Sequence, residues 1–491
     1  MAGIGVKLER LYSKRSIVST IAGFGYSIIF TIAPVGLVMG AVILMQILLD
    51  VSKLGYAIRQ LYACTVLYVF IFAMIVQAPV NSVISRFLSD AIYDERWDDI
   101  MAAYNFGGFI NVALAALVGI PFCLHEYMAG GVDIWYVFAG YACFSTLTLA
   151  FYTQLFLQAL KAYQRISLYY LIGMVFAVLL SLLLHAVTTL ETTFVMLISM
   201  AAGFLLIVLI EYGLLNQFFQ GNSKDYKRVL AYFRKYILLV FTNLFYTLGL
   251  YAHNFVFWTT PQAIVVAKSF YCYEAYDMAT CIAMFLNISA TVIFTTRIEL
   301  HFQGRYKDYS EATIGGRGID IDNAKARMFT ALSDELFSLV RIQFIITVVV
   351  YLFTVVILPR FGMGGTVMRI YPCMAAGYFV LFVMYAAIIL MYYFNDNTGA
   401  FITAGSFLAV TIIVSVFATR LSEIWYGIGV FAGSMVGFLI GYTRLMWMER
   451  NLDWHIFCQG DIMARGEEKM PSNLIYNKEQ GRLEEVSEEG A

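Results

Sequence analysis

Of the 491 residues, 61% are hydrophobic and 13% charged, with a mean hydropathy of +0.75, where a soluble domain carries roughly 25% charged residues. That balance excludes an ordinary soluble fold and predicts an all-α polytopic membrane protein. A formal charge of -1 leaves no basic face to neutralise phosphates, which excludes a nucleic-acid-binding chain.

Residues 218–236, FFQGNSKDYKRVLAYFRKY, form a basic interval between two long apolar stretches. Apolar runs long enough for a bilayer, which takes about 20 helical residues, precede it at 17–49, 57–83, 102–124, 133–160, 168–187 and 194–216. Six more follow at 237–260, 273–296, 336–359, 369–394, 400–419 and 425–447. The expectation is twelve transmembrane helices in two six-helix bundles. The first bundle ends at 216, a basic cytoplasmic linker covers 217–236, the second bundle covers 237–447, and an acidic cytoplasmic tail covers 448–491. The first run is too long for one straight crossing, and Pro34 within it is predicted to act as a hinge.

Lys and Arg are retained on the cytoplasmic side of membranes. Placing both termini and the even-numbered connections there gathers, with the C-terminal tail and Arg341 left out of the count, nineteen basic residues inside against six outside: Lys53, Arg59, Lys268, Arg360, Arg369 and Arg420. Six crossings return the chain to the cytoplasm, so the second half enters as the first did. Paired basic residues before each half, Lys14-Arg15 and Arg234-Lys235, fit a parallel repeat with a pathway between the halves.

Polar residues inside the spans are the candidates for that pathway, because a charge at mid-bilayer costs about 2.5–3.5 kcal/mol and generally faces a cavity. They are Glu211, Asn243, Tyr246, His253, Asn254, Asn287 and Arg341. Asn243, Tyr246, His253 and Asn254 fall in one helical stripe about 100° wide, predicted to face the cleft between the bundles. Gly429, Gly433, Gly437 and Gly441 recur every fourth residue and predict close helix packing, against a neighbouring span of this chain or against another subunit.

Fragments that resemble chemistry have plainer explanations. Asp320-Ile321-Asp322 matches a short sugar-nucleotide pattern but lies in a polar loop, Asp90 to Asp99 read as a solvated acidic face, and His125-Glu126 lacks a second histidine at ligand spacing. No phosphate-binding glycine loop or nucleophile elbow occurs, so neither an enzyme nor a cofactor is expected. Cys64, Cys123, Cys143, Cys272, Cys281 and Cys373 sit in or beside apolar runs and Cys458 in the tail, which predicts neither disulfides nor a metal.

Several stretches together resemble one family. The opening Met1 to Gly5, QAPVNSVISRFLSDAIYDERWDDI at 77–100, FTTRIELHFQGRYKDY at 294–309, YYFNDNTGAFITAGSFL at 392–408 and LDWHIFCQG at 452–460 are similar, in order and spacing, to the PelG family of Pel exopolysaccharide transporters. That family lies within the multidrug/oligosaccharidyl-lipid/polysaccharide (MOP) flippase superfamily. The chain departs from it at Val6, at Arg297 to Glu299 and in the acidic tail. The resemblance implies two six-helix bundles in a V that open alternately in the bacterial cytoplasmic membrane, with an N-acetylhexosamine polymer as cargo. It also implies a cytosolic glycosyltransferase and other Pel membrane subunits as partners. A lipid-linked oligosaccharide flippase or a cation-coupled drug exporter is the alternative, ahead of a membrane glycosyltransferase. The long inner connection from Glu299 to Glu335, broken by Gly315 to Gly318 and expected to re-form a helix from Asn323 to Ala331, is the expected docking site for the polymerising enzyme.

Overall fold

A computed structural model describes residues 17–160, 162–297, 302–361, 365–459, 474–477 and 482–485. The first basic cluster, Lys161, Glu299 and most of the acidic tail therefore lie outside the described residues. In the first half, the helices are α1 (Ile17–Leu48), α2 (Tyr56–Tyr93), α3 (Asp98–Met128), α4 (Ile134–Ala159), α5 (Tyr163–Val187) and α6 (Thr192–Phe218). The second half begins with α7 (Tyr226–Lys235) and α8 (Ile237–Phe257). A hairpin of β1 (Ile264–Val266) and β2 (Phe270–Cys272) follows, then α9 (Glu274–Arg297), α10 (Gln303–Gly315), α11 (Gly318–Ile357), α12 (Thr366–Tyr393), α13 (Asn397–Ala418) and α14 (Ile428–Gln459). Strands β3 (Leu474–Asn477) and β4 (Arg482–Glu485) pair antiparallel in the tail.

Each expected span coincides with a helix. Among the described residues, nine helices are long and apolar enough to cross a membrane, and α7 with α8, bent by 69°, makes a tenth. Helix α1 contributes a shorter apolar segment, Ala33–Leu48, and continues through Pro34, which is buried. Helix α9, with Glu274 and Asp277 in its first turn, covers the expected segment at 273–296 but is not among those ten.

Three helices outrun the expected spans, α14 among them by reaching Gln459. Helix α2 continues to Tyr93 and α11 starts at Gly318, well before the apolar run at 336. The polar extensions keep their backbone bonds by remaining helical, and pairs such as Arg86–Asp90, 3.5 Å apart one turn along, decorate them. The long connection is a helical hairpin, α10 and the start of α11, turned at Gly316, within the expected glycine break and ahead of the expected helix at Asn323 to Ala331. Asp320 sits in the first turn of α11 and accepts from the Arg317 backbone amide at 3.2 Å, the ordinary task of an acidic residue at a helix start.

The helices pack mainly within their own half: α4 on α2, α3 and α6, and α6 on α5; in the second half, α13 and α12 on α14, α8 on α13, and α9 on α12. The halves meet along α2 with α8, along α1 with α9, and where the β1–β2 hairpin lies against α2. The glycine face of α14 lies within the chain. A methyl group added at Gly433 would strike Thr411 Oγ1 and come within 2.9 Å of the Phe407 carbonyl on α13, and one at Gly441 would press on Ala387 of α12 at 3.2 Å. Tight backbone approach replaces the hydrophobic drive that lipid removes.

Candidate functional site: the seam between the helix halves

The seam is built on α2 and α8, one apolar helix from each half. At one end Val83 packs with Tyr236 and Leu239, and the Arg86 guanidinium lies 5.6 Å from the Tyr236 ring centre. Midway, Asn243 Nδ2 donates to the Ala78 carbonyl at 2.8 Å, and Tyr251 Oη donates to Met74 Sδ at 3.0 Å. Towards the other end Phe72 stacks on Phe255 at 5.9 Å and Tyr68 on Trp258 at 4.9 Å. Aromatic stacks of this kind add about 0.5–1.5 kcal/mol each beyond area burial, so the contact is firm yet made of separable pieces.

The hairpin completes that end. Tyr68 Oη donates to the Tyr271 carbonyl at 3.0 Å and accepts from the Tyr271 amide at 2.9 Å, so one side chain of the first half satisfies a strand residue of the second. Phe270 sets its edge against Tyr68 and Phe122. Below it lies a cavity of about 210 Å³, walled by Phe72, Phe122, Tyr141 and Phe144 of the first half and by Phe270 itself, and reached by Glu126. Glu126 is buried, and its Oε1 has no partner among the described residues.

The stripe on α8 divides. Asn243 faces the seam, whereas Tyr246 stacks on Tyr385 at 5.0 Å inside the second half. His253 Nδ1 shares a 2.8 Å hydrogen bond with Tyr276 Oη, and Asn254 Nδ2 donates to Asp277 Oδ1 at 2.7 Å. Asp277 also accepts from Trp258 Nε1 at 3.0 Å and from the Tyr273 amide at 2.9 Å. His253 and Asn254 are thus enclosed between α8 and α9 rather than aligned on a cleft surface, because α9 offers a carboxylate and a phenol to satisfy them. Glu211 stands apart, wholly buried in the first half with both carboxyl oxygens unpartnered among the described residues. Arg341 is exposed on α11, and Asn287 lies on α9 with its side chain outside the described set.

Sequence reading missed Asp277, Glu126 as a cavity residue, and the hairpin. Asp277 lies near the start of the expected span at 273–296 and is absent from the polar residues singled out there. The hairpin turn puts Ala267 and Lys268 at φ of 49° and 55°, conformations usually signalled by Asn-Gly or Gly, and neither occurs there.

Helix α7 is tied down by Arg228, whose Nη1 is 3.1 Å from Asp99 Oδ2, with Arg96 on the same carboxylate at 2.8 Å. The α10–α11 hairpin rests on the second half through Phe302, Met328, Phe394 and Leu452. Lys325 pairs with Asp453 at 2.6 Å, and Tyr309 Oη donates to the same carboxylate at 2.8 Å. Burial, then the bond to Asp453, pushes the Tyr309 hydroxyl above the ordinary tyrosine range, so it stays a donor. At the tip, Ile314 and Ile319 are 84% and 73% exposed.

The fold is that of the MOP transporters. An outward-facing multidrug resistance MATE family transporter superposes with a TM-score of 0.56 at 13% identity, covering 86% of this chain and 96% of that one. The eukaryotic MATE transporter AtDTX14 gives 0.57 at 13%, covering 90% and 96%. A MOP superfamily transporter from Pyrococcus furiosus gives 0.54 at 14%, covering 91% and 97%. Comparison with curated proteins gives no match. The sequence itself matches the PelG exopolysaccharide exporter (EPS-E) family over residues 1–457, nearly its whole length. The chain belongs to that family, and its role is transport rather than catalysis.

Proposed function

We propose that the chain passes a nascent N-acetylhexosamine polymer outward across the bacterial cytoplasmic membrane by parting the halves along the α2–α8 seam. The observation that carries the reading is the family match over residues 1–457, joined to a seam of discrete aromatic stacks and two side-chain hydrogen bonds. A sugar chain needs apolar faces for its rings and donors and acceptors for its hydroxyls; Tyr68, Phe72, Asn243 and Tyr251 supply both once the seam opens.

In this reading both termini and the α10–α11 hairpin are cytoplasmic, supported by the charge count. The hairpin is the dock for the cytosolic glycosyltransferase, supported by its exposed Ile314 and Ile319 beside a basic and aromatic stretch. Cargo is then threaded in as it is made. Export of a small organic cation is the second reading, favoured by the aromatic cavity that Glu126 reaches.

The test is genetic. Cells that keep the glycosyltransferase and lose this chain should cease to release polymer, and the wild-type chain should restore release. Unchanged release without the chain contradicts the proposal; normal polymer release with lost tolerance to organic cations supports the second reading instead.

A further inference from the structure

Cys64 on α2 and Cys272 on β2 belong to opposite halves and stand 208 residues apart in sequence, yet their sulfurs are 3.0 Å apart. That is about 1 Å more than a disulfide bond length. Both are enclosed, at 2% and 4% exposure, in a small core with Val266 and Phe270. Tyr68, one turn along α2 from Cys64, holds the backbone of Tyr271, the neighbour of Cys272, at both its amide and its carbonyl. The approach of the sulfurs is therefore fixed on both sides by bonded neighbours and is no chance of a mobile tip. Spacing along the chain carried no sign of it.

We infer that Cys64 and Cys272 form a redox-dependent cross-link that fastens the two halves shut at the hairpin end of the seam. The charge distribution puts this hairpin, with Lys268 at its turn, on the outer side, where thiols meet an oxidising environment. The oxidant is an external disulfide. The Cys272 thiolate attacks it and expels one thiol, leaving a mixed disulfide on Cys272; Cys64 then gives up its proton, its sulfur attacks Cys272 Sγ, and the second external thiol departs. Two electrons pass from the cysteine pair to the external disulfide, and the two protons leave with the released thiols. Burial means the first exchange takes place while the hairpin is lifted, so the bond is made on the next closure and then prevents reopening.

The full-length chain in membranes is treated with oxidised glutathione, denatured, alkylated and mapped by mass spectrometry. A peptide bearing Cys64 joined to one bearing Cys272 should form, dithiothreitol should remove it, and Cys272→Ser should lack it. Hydrogen exchange at the peptide containing Tyr271 should slow at least tenfold on oxidation in the wild type and stay unchanged in Cys64→Ser. If both cysteines are alkylated as fully after oxidation as before, or if the link forms without slowing exchange, the lock is wrong. These readouts do not involve export. Oxidation that forms the link and slows exchange while polymer release continues leaves the lock standing and counts against the parting of the seam as the export step.

Discussion

Asn243 of α8 donates its side-chain amide to the Ala78 backbone carbonyl of α2 at 2.8 Å, a hydrogen bond that crosses from one half of the molecule to the other. A hydrogen bond of this kind is worth about 0.5–1.5 kcal/mol net, which is small enough to break in a transport cycle. Replacing Asn243 by Leu should raise the population with the seam parted by roughly two- to tenfold. Distances between spin labels on the two halves measure this; an unchanged distance distribution contradicts it.

Asn254 and Asp277 are a different case, since both are buried within the second half and Asp277 has three donors around it. Asn254→Leu removes one donor and leaves a carboxylate under-satisfied, at a cost of about 1–3 kcal/mol. The expected result is a lower unfolding temperature in detergent with the seam distances unaltered. Loss of transport at full stability would instead assign Asn254 to the pathway.

Gly433→Ala should destabilise the second half by about 1–3 kcal/mol, because the added methyl meets Thr411 and the Phe407 backbone with no room to withdraw. Gly40→Ala, with nothing within 4 Å of the added methyl, is the control and should be neutral. Heating the extracted protein and measuring the monodisperse fraction distinguishes the two.

The helices were legible in the sequence because lipid demands long apolar runs with every backbone group bonded internally, and each expected span has its helix. Where polar chain leaves the bilayer, legibility was partial: the helix expected from Asn323 to Ala331 is present, but it starts earlier, at Gly318. Residues 318–335 continue as helix since ion pairs and the aromatic cluster around Phe394 support them, contacts that periodicity alone does not reveal. The seam was half legible: the stripe on α8 was visible, but which partner each residue meets depends on α9 and α2. The Cys64–Cys272 approach depends on a hairpin whose turn residues, Ala267 and Lys268, give no turn signal.

Ile314 and Ile319 flank the glycine break at the tip of the α10–α11 hairpin and are exposed. Changing both to Asp should abolish co-purification of the glycosyltransferase while leaving the chain folded, because the hairpin is anchored elsewhere by Lys325, Tyr309 and Asp453. Undiminished co-purification contradicts the docking assignment.

Reconstitution tests polymer export most directly. The purified chain is placed in vesicles with the glycosyltransferase and its nucleotide-sugar substrate on the face that carries α7 and the α10–α11 hairpin, and polymer is assayed after digestion with an added glycosidase. The account predicts polymer protected in the lumen only when the chain is present, and its loss when the halves are cross-linked across α2 and α8. Protected polymer without the chain, or undiminished protection after cross-linking, would contradict it.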